Sequence, residues 1–352
     1  MKSKIPFWYP ADYAVRLPVL KKRAKAIEAV RTFFVSRDFL EVETPILQVS
    51  PGLEPHLKAF RTELVEPFGR ADRTMYLHTS PEFTMKKLLA AGLPRIFQMA
   101  RVFRNEERSK THHPEFIMLE WYRAGEDYRT LMDDTGALVR ACAEAVGTPV
   151  LTGPDGQICD PFAEWERLSV VEAFRRFAGI ELTDTLPAEP SFSPDPAPLR
   201  ERAERIGVKT DDGDSWDDVY FRIAFEKIEP HLGEKVPTIL YDYPICMAAL
   251  SRRKPSDGRF AERFEVYAAG IELGNAFSEL TDAVEQRERF DRDMDLKERL
   301  YGERYPVDED FIAAVAAMPP AAGIAVGIDR LVMLLTGAKR IEDVMWAPVD
   351  ED

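Results

Sequence analysis

The sequence predicts an α+β protein built on an antiparallel sheet flanked by helices, and three observations predict it. Strand-patterned segments come in groups separated by loops, without strict alternation with helices, which favours an antiparallel sheet over a doubly wound one. Two stretches, 101–122 and 261–280, each read as a pair of strands around a short loop. Amphipathic helical patterns stand before and after the first hairpin.

In chain order, residues 18–36 carry Leu20, Ala24, Ile27, Val30 and Phe34 at helical spacing, with Lys and Arg between them. Residues 1–17 are therefore expected to be an N-terminal tail, and 18–352 one domain. Strands are expected near 75–78, 95–105 and 115–123, then a helix from Tyr128 to Ala145. The pattern weakens to about 235, and 184–198 is rich in Pro, Asp and Ser, so an insertion is expected around 147–235. Strands return near 238–243, 262–280 and 322–328.

Composition bounds the function. The 352 residues hold 47 Lys+Arg against 61 Asp+Glu, a formal charge of -14 that disfavours general attraction to nucleic acid or anionic membrane. No 18-residue apolar run occurs, and MKSKIPFWYP at the start lacks the apolar segment of a signal peptide, so a cytoplasmic chain with no membrane partner is expected. Cys142, Cys159 and Cys246 are odd in number and lack CxxC spacing, which points to buried thiols and not to a zinc or disulfide framework.

Three segments carry chemistry. In RVFRNEERSKTHHPEFIMLEWY (101–122), Arg104 and Glu106 share a face with Gln98 by alternation, as do Phe116, Glu120 and Tyr122 on the second strand. An arginine for a phosphate, an aromatic for a base and carboxylates for a cation suit such a hairpin. In AERFEVYAAGIELGNAFSEL (261–280), a two-residue loop puts Glu265 and Glu272 on one face, where like charges need a cation between them. Asn275, Phe277 and Glu279 join that face only if a bulge at Gly274 inserts one residue. In GIAVGIDR (323–330), Gly323, Ala325 and Gly327 form a small-residue face against which a ligand can lie, and Arg330 opens a helix where its charge opposes the dipole.

FRNEE (103–107), HxPEF (112–116), RFEVY (263–267), ELxNxFxELTD (272–282) and GIDR (327–330), in this order, resemble the signature motifs of class II aminoacyl-tRNA synthetases, in the lysyl branch. Motif 1 would end in Glu41-Val-Glu-Thr-Pro-Ile46 and implies a homodimer. The resemblance implies ATP and Mg²⁺ as cofactors. It assigns catalytic roles to Arg104, at the α-phosphate, and Arg330, at the far phosphates. It also implies a nucleotide site of Arg104, Asn105, Glu106, His112, His113, Phe116, Glu265, Val266, Gly327 and Arg330, with Mg²⁺ on Glu265 and Glu272. The amino-acid pocket would hold Ser80, Pro81, Glu82, Glu120, Tyr122, Glu272, Asn275, Phe277, Glu279 and Ala325.

Two positions depart from the branch: His113 replaces Asn in HNPEF, and Ala276 replaces Gly, where an added methyl could narrow the pocket. No anticodon-binding domain is expected before residue 18, so the chain is similar to the free-standing β-lysine ligases of elongation factor P. Ser80 and Ala325, where the tRNA enzymes usually have Ala and Gly, point the same way. β-Lysine would be the substrate and elongation factor P the acceptor, with no stable tRNA binding. Basic residues in 61–73 and 251–254 are candidates for a docking patch. A truncated synthetase paralogue using α-lysine and a non-catalytic regulator binding lysine or nucleotide stay open as alternatives.

Overall fold

Tyr9 leads into a 26-residue helix, Pro10–Val35, which opens on a proline whose missing N–H would be unpaired there in any case. The helix thus starts before the expected residue 18. Pro18 lies inside the helix although an interior proline gives up a hydrogen bond at a cost of about 3 kcal/mol. Leu20, Arg23, Ala26, Val30, Phe33 and Phe34 form its buried stripe. The structure is a computed structural model describing residues 7–69 and 71–349.

That stripe packs on one face of an eight-stranded sheet. In chain order its strands are β1 (Leu40–Glu41), β2 (Arg95–Phe103), β3 (Glu115–Ala124), β4 (Glu166–Ser169), β5 (Thr238–Pro244), β6 (Phe260–Ala268), β7 (Ile271–Ser278) and β8 (Ala321–Gly327). Their spatial order is β1-β2-β3-β8-β7-β6-β5-β4. The five inner pairings are antiparallel, as expected, whereas β1/β2 and β4/β5 at the two edges are parallel. Both edge strands are short and reached by long crossovers, the connection that parallel pairing requires.

Phe34 stacks on Phe97 at 4.7 Å and lies 5.1 Å from Trp121, joining the first helix to β2 and β3. Helices Tyr128–Val146 and Ile328–Thr336 complete this core, into which Val266, Ala276, Ile324 and Val326 also point. The opposite face is left for polar side chains. It is covered at one end by helices Glu82–Ala90, Ala283–Tyr301 and Glu309–Ala317, with Phe83 stacked on Phe311 at 4.2 Å.

Residues between about 147 and 235 build a second apolar cluster, with Phe174, Trp216 and Tyr220 at its centre, packed on Leu240, Tyr243 and Tyr267 at the sheet's far side. Cys142 and Cys159 are buried, Cys246 is partly buried, and all three are free thiols. Among the described residues no helix is long and apolar enough to cross a membrane.

Candidate active site

Strand register assembles the site. Across the open face runs the row Gln98, Glu120, Ala325, Asn275, Glu265, each the direct partner of the next on β2, β3, β8, β7 and β6. A second row runs Ile96, Tyr122, Gly323, Phe277, Arg263. Because side chains alternate along a strand, rows two residues apart share a face.

The β6–β7 hairpin supplies the extra residue that this face requires. Val266 pairs with Gly274 and Tyr267 with Glu272, so Leu273 has no partner and forms the bulge. Glu272, Asn275 and Phe277 thereby come to one side, with Glu265 opposite Asn275. The turn is Ala269-Gly270, both at positive φ (47° and 77°), as a two-residue hairpin turn demands. Ala269 is held there by its N–H bond to the Gly233 carbonyl.

At one end of the face three carboxylates converge. Ser80 donates to Glu120 Oε1 at 2.6 Å and Tyr122 to Glu120 Oε2 at 2.7 Å. Lys86 Nζ lies 2.5 Å from Glu82 Oε1 and 2.5 Å from Glu279 Oε2, with side-chain exposures of 2%, 10% and 0% respectively. Its ammonium also stands 5.1 Å from the Phe277 ring centroid. Burial opposes the lysine's charge, but Glu279 and Glu82 outweigh it and hold the ammonium above its ordinary range.

One cation does not balance three buried carboxylates. Burial, with Glu82 next, pushes Glu120 up to about 8 despite the bonds from Ser80 and Tyr122. Burial also raises Glu279 to about 8, against the pull of Lys86 and with Glu82 and Glu120 adding to the rise. The pocket accordingly favours a cationic guest or bound protons. Lys86 escaped the sequence reading, although its i,i+4 spacing from Glu82 on a helix was a legible signal.

Gly323 does not offer bare backbone to a ligand. A side-chain carbon there would fall 2.2 Å from the Tyr122 ring and 2.5 Å from Glu279 Oε1, so its lack of a side chain makes room for those two groups. Ala325 is half-buried on the pocket face between Glu120 and Asn275. Pro81 is buried and leads into the helix that carries Glu82 and Lys86.

Toward the other end stand two arginines. Arg104 reaches the Thr79 carbonyl at 3.4 Å through Nε and lies 5.4 Å from the Phe116 ring, which is half-exposed. Arg330 donates to the Glu272 carbonyl at 2.8 Å and to the Thr111 carbonyl at 3.3 Å, and its Nη2 is 2.7 Å from His112 Nε2. A guanidinium only donates, so His112 accepts at Nε2 and turns its Nδ1 hydrogen to Ser109 Oγ at 2.7 Å. Burial and the Arg330 charge lower the pKa of His112, consistent with a neutral ring. The neighbouring Asp329 leaves Arg330 to these partners: it is buried with Arg23 at 2.6 Å and accepts from the Ile117 N–H. Gly327 caps the helix that begins Ile328-Asp329-Arg330.

Not every expected residue turns toward this space. The His113 ring is buried between the Glu115 carbonyl and the Val349 N–H, so its side chain is unavailable to a base. Val266 and Ala276 point into the main core, because alternation sends them to the face opposite Glu265 and Asn275. Ala276 therefore cannot narrow the pocket as its methyl suggested. Glu106 is exposed at φ 64° and paired with Lys58 at 2.8 Å, while Asn105 uses its side chain to accept the Glu106 N–H.

Glu265 and Glu272 face one another's charge. Arg263 donates to Glu265 Oε1 at 2.6 Å, and Tyr243 and Tyr267 donate to Oε2 at 2.6 and 2.7 Å. Burial and Glu265 raise Glu272 to about 7, with Arg330, Arg263 and Arg104 opposing. Among the described residues no trio of His, Cys, Asp or Glu could enclose a metal. A hard cation at this pair would therefore need Glu272 together with Glu265, whose oxygens also accept from Arg263, Tyr243 and Tyr267, and further oxygens from outside the chain.

The basic candidates for a docking patch are engaged within the chain. Arg73 pairs with Glu66, Arg252 with Glu262, Arg253 with Glu285 and Lys254 with Asp242. Arg61 bonds Thr74, and Arg70 lies outside the described residues.

Comparison with known proteins adds the following. Residues 15–351 match the family of class II tRNA synthetases (D, K and N). Elongation factor P–(R)-β-lysine ligase of Haemophilus influenzae (strain PittGG) is 40% identical over 332 residues, 94% of this chain and 95% of that protein. The proteins of the same name from Proteus mirabilis (strain HI4320) and Pectobacterium carotovorum subsp. carotovorum (strain PC1) are 38% and 39% identical, each over 99% of both chains.

Proposed function

Since the chain belongs to the class II tRNA synthetases of the D, K and N type, we propose that it is an ATP-dependent ligase. In this reading it activates (R)-β-lysine as an adenylate and transfers it to a lysine side chain of elongation factor P. The observation that carries the proposal is the row of Glu120, Ala325, Asn275 and Glu265 on one sheet face. It joins a carboxylate pocket for ammonium groups to a carboxylate and arginine site for phosphates, and near-full-length ligase relatives accompany it.

The substrate carboxylate is ionised at neutral pH and attacks the α-phosphorus in line, with pyrophosphate leaving, so activation needs no general base. Arg104 holds the α-phosphate and Arg330 the far phosphates, which requires Arg330 to exchange its carbonyl and His112 partners for phosphate oxygens. Phe116 stacks on adenine beside Arg104. Glu265 and Glu272 would hold Mg²⁺, which supplies charge neutralisation to the triphosphate.

Glu82, Glu120 and Glu279 orient the ammonium groups, and Ser80 fixes Glu120. The acceptor amine then attacks the adenylate carbonyl, an amide forms and AMP leaves. We further propose a cytoplasmic homodimer, supported by the partly exposed Val35, Leu40, Ile46 and Val49 around edge strand β1. No stable tRNA binding is proposed.

The test is pyrophosphate exchange with α-lysine and with β-lysine, followed by transfer of labelled amino acid to purified elongation factor P or to total tRNA. Label in an acid-stable protein amide is the outcome this reading requires. Label confined to an alkali-labile tRNA ester overturns it.

A further inference from the structure

The loop 109–114 is held from two sides. In front, Arg330 donates through Nε to the Thr111 carbonyl at 3.3 Å, and its Nη2 lies 2.7 Å from His112 Nε2. In the proposed function Arg330 turns to phosphate oxygens and gives up both bonds. What then keeps the loop in place lies behind it.

Behind stands the C-terminal segment 341–349. It begins with the short helix Ile341–Val344, and the Ile341 N–H bonds the Lys110 carbonyl at 2.8 Å. At its other end the Val349 N–H bonds His113 Nε2 at 3.2 Å. Between these ends the first helix anchors the segment. Arg16 donates to the Glu342 and Met345 carbonyls at 2.8 and 2.5 Å, and Arg23 to the Val344 carbonyl at 3.1 Å. Arg23 also holds Asp329, the residue before Arg330, at 2.6 Å. One frame thus fixes both the helix that carries Arg330 and the loop that this arginine must release.

His113 is the side chain through which the loop joins that frame. Its ring is 2% exposed, with Nδ1 2.5 Å from the Glu115 carbonyl. A carbonyl only accepts, so Nδ1 carries the hydrogen and Nε2 is bare to accept the Val349 N–H. The Asn of the lysyl branch has no atom at the place of Nε2. Next in the chain, the Pro114 carbonyl accepts the Arg104 N–H at 3.0 Å, and Phe116 follows two residues later. The setting of His113 is therefore passed to the α-phosphate arginine and to the ring assigned to adenine.

We propose that His113 and the C-terminal segment are a positioning device for the nucleotide: the ring clasps Val349, so that loop 109–114 keeps its shape when ATP draws Arg330 away. The inference rests on the proposed function, since it is the triphosphate that calls on Arg330.

The test uses the full chain carrying His113→Phe, which keeps a ring without an acceptor, Val349→Pro, which removes the N–H from an exposed residue, and both together. His113→Gln, whose amide oxygen can stand where Nε2 does, is the conservative variant. Pyrophosphate exchange with whichever lysine isomer wild type activates gives KM for ATP and for the amino acid separately. Each single variant should raise KM for ATP about fivefold or more, the size of one hydrogen bond, with KM for the amino acid within twofold. The double variant should be no worse than the worse single one, because both remove the same contact. His113→Gln should recover part of the loss. A KM for ATP within twofold of wild type in both single variants overturns the proposal. So do effects that multiply in the double variant, and so does an equal rise in both KM values with a lowered melting temperature, which makes His113 a general structural prop. If wild type activates neither isomer, the proposed function fails, and calorimetric titration with ATP, with Kd in place of KM, still decides the clasp.

Discussion

Lys86 Nζ lies 2.5 Å from Glu279 Oε2, and neither side chain is more than 2% exposed. Such a pair is sensitive to the loss of one partner, because the other is left as an uncompensated buried charge. Lys86→Met should therefore lower unfolding free energy by about 3–5 kcal/mol. Urea denaturation at pH 9, where Glu279 is ionised, measures this. A change below about 1 kcal/mol would mean that the carboxylates find other partners or simply take protons.

Substrate affinity should depend on pH through Glu120 and Glu279. Both are pushed up to about 8, so below that pH the neutral form dominates, whereas an ammonium guest needs the ionised form. KM for the activated lysine should fall as pH rises and level off above about 8. If one such ionisation governs binding, KM at pH 6.5 is about 30-fold above its plateau. Pyrophosphate exchange across pH 6–9 gives the profile, and a KM that rises toward pH 8 contradicts the sign.

Ala325 stands in register between Glu120 and Asn275, with its methyl on the pocket face. If that methyl crowds an α-amino group, Ala325→Gly should narrow the preference for β-lysine over α-lysine. Relief of about 1.4–3 kcal/mol corresponds to roughly 10- to 150-fold. The ratio of kcat/KM values for the two isomers reports it, and an unchanged ratio removes Ala325 from the specificity argument.

Glu272→Gln should weaken Mg²⁺-dependent exchange by about 100-fold, equivalent to about 3 kcal/mol of lost charge compensation. The loss should shrink at high Mg²⁺ if the metal is bound less tightly. Near-normal exchange over the whole titration would detach Glu272 from the metal.

The hairpins and the polar face were legible because alternation is a local signal. Glu272 and Asn275 could share a face only through an added residue, which the structure places at Leu273. Long-range pairing was less accessible. Nothing near Lys86 in the chain announces Glu279. His113 also read as a site residue until the remote Val349 N–H was found on its ring. The short strand Glu166–Ser169 owes its conformation to pairing with Thr238–Tyr241 more than to its own pattern.

The unpaired Leu273 has a consequence for how this strand can change. It resets parity, so that positions before it count by one phase and those after it by the other. Deleting that single residue would give a regular ladder with the same partners, leaving Glu272, Asn275 and Phe277 on one face without a bulge. A flat strand that kept all the residues would instead mount the phosphate-facing and amino-acid-facing parts of this hairpin on opposite sides of the sheet. The two parts thus stay together either through the bulge or through loss of the bulged residue, and only a change that pulls Leu273 into the ladder should separate them.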